Sequence, residues 1–212
     1  MAQNEQHFNL DKVIDHFEQA LNGNEDIFME QYLEAYRELN KIFGILGRIF
    51  GFVESDVTEK VAILDTFLAN DKANYSSVGT MIKHECHSNQ CPKGNGSRTL
   101  LRLHRALQFI ILFVEGLKNS QDNGMAISTV CKTSYDKTLA NYHGFFIRKS
   151  VAVAVYTLPS REYIIKGFFT HADEDVSNQT IHILADKFKR VGQNVYDRIQ
   201  EMYTHNNLLE LP

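Results

Sequence analysis

The chain has 212 residues, 43% of them hydrophobic and 23% charged, with a formal net charge of −4 and three cysteines. That balance fits a soluble globular protein and leaves no global basic field to argue for nucleic acid. The opening MAQNEQHFNLDK has no apolar core for a signal or transit peptide, and runs such as FIILFV and VAVAVY are too short to span a bilayer. Three thiols without a secretory signal read as reduced, so the expected setting is the cytosol.

Only three prolines occur, and long stretches free of Pro and poor in Gly favour helix. The spacing predicts helices over Leu10–Leu21, Glu25–Leu46, Phe50–Leu68, Ser76–His87, Arg98–Lys118, Ile127–Thr157, Ser160–Phe168 and Asn178–His205. No alternating strand pattern stands out. The breaks carry turn residues: NGNED, ANDKAN, CPKGNG, NSQDNG, TLPS and THADED. Asn119 and Gly124 suit a helix end, Ser160 with Glu162 suits a helix start, and Gly144 is a candidate break inside Ile127–Thr157. No Gly/Ser-rich or Pro-rich linker divides the chain, so one domain over residues 1–212 is expected.

The stretch IFGFVESDVTEKVAILDTF, Ile49 to Phe67, holds a charge anomaly. At about 100° per residue, Phe50, Val53, Val61, Leu64 and Leu68 fall within about 40° of Val57. Asp56 and Lys60 sit near −100° and −60°, inside the apolar arc that Ile49, Phe52, Ile63 and Phe67 extend. Charged side chains are rarely buried unpaired. Two readings follow: an ion pair with buried stems, or a polar spot at the mouth of an apolar cavity.

A second helix, SRTLLRLHRALQFIILFVEGLK, puts Arg98, Arg102, Phe109 and Phe113 within one arc of about 60°. Arg105 lies at the edge of that arc. Like charges four residues apart repel, and either acidic neighbours or a bound anion offsets them. Lys60, Arg98 and Arg102 together suit a phosphate beside an apolar cavity. His143, in LANYHGFFIRKS, is either a satisfied core group or a partner of Asp56. Asp56 and His143 also admit an acid–base reading, but no acidic metal cluster or nucleophile elbow accompanies them. HECHSNQC holds His84, Cys86, His87 and Cys91 at irregular spacing, so no zinc site is expected, and no cofactor either. LPSREYIIKGFF mixes Tyr163, Ile164, Ile165 and Phe168 with Lys166, which fits either an amphipathic core cover or an interfacial helix.

In this order, Asp56-x-x-x-Lys60, RTLLRLHRAL, LANYH, TLPSRE and the terminal NNLLELP resemble the glycolipid transfer protein superfamily over nearly the whole chain. The resemblance implies an all-α, two-layer sandwich of about eight helices with lipid chains between the layers. It implies a non-enzymatic carrier that touches membranes transiently. Asp56 would accept from a sphingoid amide N–H, His143 would donate to the acyl carbonyl, and Lys60, Arg98 and Arg102 would hold a phosphate. Val53, Val57, Leu64, Phe109 and Phe113 would line the chain pocket. Tyr163, Ile164, Ile165 and Lys166 would meet the bilayer. Phe109 stands where the family commonly has a Trp, and Lys60 and Ile63 stand where glycolipid-binding members have Asn and Lys. Both departures point to ceramide-1-phosphate or a related sphingolipid over a sugar headgroup. HECHSNQCPKGNGS looks shorter than the corresponding stretch in relatives.

Overall fold

Helix is the only regular structure among the described residues apart from one isolated backbone bridge. The structure is a computed structural model that describes residues 7–21, 25–86, 96–169 and 177–212. Helices α1 (Leu10–Leu21) and α11 (Asn178–His205) keep their expected bounds. Val13, Ile14 and Phe17 place the apolar stripe of α1 fully inside, each stabilising by roughly 1.5–3 kcal/mol. Ser177 caps α11, its hydroxyl accepting from the Thr180 N–H at 3.1 Å.

The expected Glu25–Leu46 helix forms as α2 (Met29–Asn40) and α3 (Ile42–Leu46). Residues before Met29 are committed elsewhere. The Ile27 carbonyl accepts from Val78 N–H at 2.9 Å, and the Asp26 carboxylate accepts from Gly79 N–H at 2.8 Å. Those bonds cap the start of α6 (Val78–Cys86) instead of extending α2. Between them run α4 (Gly51–Asn70) and the short α5 (Lys72–Tyr75), which occupies an expected break. Helix α7 (Gly96–Asn123) overruns Lys118 and stops where Gly124, at φ 67°, donates to the Ser120 carbonyl. The expected Ile127–Thr157 helix divides into α8 (Ile127–Lys137), a 3-10 turn over Leu139–Asn141, and α9 (Phe145–Ala154), with Gly144 as the N-cap of α9. Helix α10 (Arg161–Phe169) follows. The described residues therefore form eleven α-helices where about eight were expected. The surplus comes from α5 and from the two divided segments.

Helix α7 is the hub, packing on α4, α6, α8 and α11, while α1 lies against α2 and α11. Gly116 lets α8 approach, because a Cβ there would meet Val130 Cγ1 at 2.5 Å. The N-terminus of α7 is clamped by the buried Glu85 carboxylate, which accepts from Gly96 N–H at 2.8 Å, Ser97 N–H at 2.9 Å and the Tyr75 hydroxyl at 3.1 Å. Burial and the Glu85 charge push the Tyr75 hydroxyl up to about 12. This clamp sets the first turn of α7, which carries Arg98, with Arg102 one turn further on.

Candidate functional site

An apolar cavity opens between α2–α4 on one side and α7–α9 on the other. About 850 Å³ of empty space lies within it, open solvent at the mouth included. Val53 and Val57 of α4, Phe109 of α7, Cys131 and Tyr135 of α8, and Ile147 and Val151 of α9 line it. Leu64 and Phe113, expected in the lining, lie behind it in the core with 1% and 0% exposure. Phe113 packs between Phe109, at 5.8 Å, and Phe168, at 5.9 Å. Leu64 sits about two turns past Val57 on α4, and Phe113 about one turn past Ile110 on α7, the last lining residues of their helices.

The anomalous charges of α4 pair with each other beside the lining residue Val57. Lys60 donates to the Asp56 carboxylate, with its side chain 9% exposed against 57% for Asp56. The ammonium is therefore buried along with its stem, while the carboxylate that holds it faces out. His143 lines the cavity, and its Nδ1 is 2.9 Å from the Tyr135 hydroxyl. Burial holds its imidazole below the ordinary value, and the nearby Asp56 charge pulls the other way. Asp56 and His143 thus share one electrostatic neighbourhood, which spacing alone left open.

On α7 the lining residues Ala106 and Phe109 continue back through Arg102 to Arg98 on one helix face. Arg102 is exposed. Arg98 is half-buried, and its Nε donates to the Pro212 carbonyl at 2.7 Å. Arg105 is turned away to other work: it donates to the Leu209 carbonyl at 2.6 Å, and its guanidinium lies 4.0 Å from the Tyr142 ring centroid.

The expected interfacial helix is corrected by the fold. In α10, Ile164 and Ile165 are 0% and 7% exposed, so they face the core and not a bilayer. Gly167 brings α10 against α3, where a Cβ would meet Ile45 at 2.8 Å. Tyr163 and Lys166 are exposed. The exposed apolar surface is instead on α9: Phe145, Phe146 at 85% exposure, and Ile147, beside the exposed cations Arg148 and Lys149. Phe52 of α4, which lines the cavity, and Tyr142 are exposed as well. The signal that sequence reasoning missed is the FFIRK tract, in which an apolar pair and a cationic pair adjoin without a separate polar face. Among the described residues no His, Cys, Asp and Glu group suits a metal ion, and His87 and Cys91 lie outside those residues.

A family-wide sequence pattern described as "Glycolipid transfer protein (GLTP)" matches residues 27–170. The chain belongs to the glycolipid transfer protein family. Within the family, the ceramide-1-phosphate transfer protein of Xenopus tropicalis is 35% identical over 221 aligned residues, covering all of both chains. The crystal structure of the human ceramide-1-phosphate transfer protein in complex with 12:0 ceramide-1-phosphate superposes with a TM-score of 0.86 at 32% identity, over 97% of this chain and 100% of that one. The mouse protein in its apo-form gives 0.85 at 31% identity over the same shares. The all-α sandwich with a cavity between its layers is the glycolipid transfer protein fold.

Proposed function

We propose that the chain carries ceramide-1-phosphate between membranes as a single non-enzymatic domain over residues 1–212. The observation that supports this reading is an apolar cavity lined by α4 and α7, the two helices that carry Lys60, Arg98 and Arg102. Full-length similarity to proteins named for ceramide-1-phosphate transfer supports it. A phosphate monoester carries a charge of about −1.5 to −2, which repeated cations offset and a sugar would leave unpaired. Asp56 accepts from the sphingoid amide N–H, and His143 donates to the acyl carbonyl. The chains fill the space lined by Val53, Val57 and Phe109, gaining roughly 0.8 kcal/mol per buried CH₂. The exposed face of α9, with Phe145, Phe146, Arg148 and Lys149, meets the cytosolic surface of a bilayer during exchange. No described helix is long and apolar enough to cross a membrane, so this contact is superficial and reversible in the proposal.

The test is transfer of fluorescent ceramide-1-phosphate and of galactosylceramide between vesicles by the native chain and by Arg102→Leu. Arg102 is exposed, so the variant keeps its fold. Selective transfer of the phosphate lipid that falls about tenfold or more in the variant is the expected result. Preferential transfer of galactosylceramide would overturn the headgroup assignment while keeping the carrier.

A further inference from the structure

A neutral imidazole exists as two tautomers, and only one places a donor on a chosen nitrogen. For His143 to donate to a carbonyl, something must select the tautomer of its ring. His143 follows the 3-10 turn Leu139–Asn141 and precedes α9, so no helix backbone fixes its ring. The described polar partner of that ring is the hydroxyl of Tyr135, 2.9 Å from Nδ1, with the two ring centroids 5.7 Å apart. Tyr135 is itself 5% exposed and lines the cavity.

Resting on the headgroup reading above, we infer that Tyr135 is a positioning residue: its hydroxyl donates to Nδ1 of His143 and so keeps the ring hydrogen on Nε2, facing the lipid amide. The opposite arrangement has Nδ1–H donating to the phenolic oxygen. It takes from the phenolic hydrogen of the buried Tyr135 the acceptor it has in Nδ1, at a cost of about 1–3 kcal/mol. It also turns a lone pair on Nε2 toward the carbonyl. Burial of Tyr135 raises its hydroxyl, which therefore stays protonated and able to donate at neutral pH. Burial of His143 favours the neutral ring, against the opposing pull of the Asp56 charge, and in the neutral ring donation depends on the tautomer.

The experiment uses the full chain with ¹⁵N-labelled histidine. Long-range ¹⁵N–¹H correlations of the His143 ring report its tautomer directly, and Tyr135→Phe removes the hydroxyl while keeping the ring. The native chain is expected to show the Nε2–H form and the variant a mixture of both. Binding of ceramide-1-phosphate is expected to weaken about five- to tenfold in the variant, the worth of one hydrogen bond. Sphingosine-1-phosphate, which keeps the phosphate but lacks the acyl carbonyl, is expected to change less than about twofold on the same reasoning. In a His143→Ala background, Tyr135→Phe is expected to add no further loss, since the two act through one ring. An Nδ1–H form in the native chain, an unchanged ring in the variant, or equal losses for both lipids would overturn the inference. The native ring signals need no variant to fold. Absence of any ceramide-1-phosphate binding by the native chain would sink the headgroup reading itself, and the role of Tyr135 in lipid selection with it.

Discussion

Helices α9 and α10 are close in composition and opposite in placement. FFIRKSVAVA and REYIIKGFF each mix aromatics and branched aliphatics with two basic residues. In α10 the apolar residues Ile164, Ile165, Phe168 and Phe169 all point inward, and Phe168 packs on Phe8 and Phe113. In α9 only Ala154 is buried, and Phe145, Phe146, Ile147 and Val153 face out. Composition does not decide between the two. Neighbours do: Gly167 admits α3 against α10, whereas α9 borders the cavity mouth and has open space beside Gly144. Apolar surface left uncovered beside a cavity marks a place where something else covers it in use.

The largest expected effect sharpens that contrast. Ile164→Asp is expected to cost about 4 kcal/mol, because it buries an unpaired carboxylate in the core. Chemical denaturation would measure it, and loss of vesicle transfer in this variant would reflect unfolding. Next comes a buried group that resembles His143 in kind but not in place. His104 is held down to about 4 by burial, and its Nδ1 has no partner among the described residues, while Nε2 is 2.7 Å from the Gln200 amide oxygen. A depressed histidine contributes stability above its unfolded value near 6.5 that is lost as pH falls toward 4. Unfolding free energy is expected to drop by about 2 kcal/mol between pH 7 and pH 5 from this group, and His104→Gln is expected to remove that part of the slope. Phe146→Asp leaves the fold unchanged and weakens vesicle association about tenfold, measured by co-sedimentation. An unchanged association would break the contrast between the two helices. The smallest effect belongs to Arg105→Gln, which releases the Leu209 carbonyl and the Tyr142 ring. It is expected to lower stability by about 0.5–1.5 kcal/mol with phosphate-lipid transfer kept within about twofold, since that residue lies outside the proposed phosphate set.

Much of the site was legible because it lies on regular helices. Phase alone put Asp56 and Lys60 inside the apolar arc of α4, and phase alone grouped Arg98 with Arg102 on α7. Caps and punctuation gave α1 and α11 their bounds and placed Gly144 at a break. What stayed hidden depends on long-range neighbours. Leu64 and Phe113 share the face of the lining residues, but the helices packed across them seal that part of the face. Ile164 and Ile165 sit on a nine-residue helix whose apolar positions cover most of its circumference, so spacing could not tell core from bilayer. Tyr135 and His143 meet across a turn that is not α-helical, and no helical period links positions eight apart through it. Arg105 is drawn off the cluster by the tail carbonyl of Leu209, more than a hundred residues away.

Gly116 shows how far from its lumen a container can be gauged. The missing methyl group there lets α8 rest directly on α7, and those two helices carry Phe109 and Ile110, and Cys131 and Tyr135, around the same void. The calibre of the void is thus set by a contact two turns outside it. A single alanine at Gly116 would act as a wedge, and the shape of the void would change without any alteration to its walls.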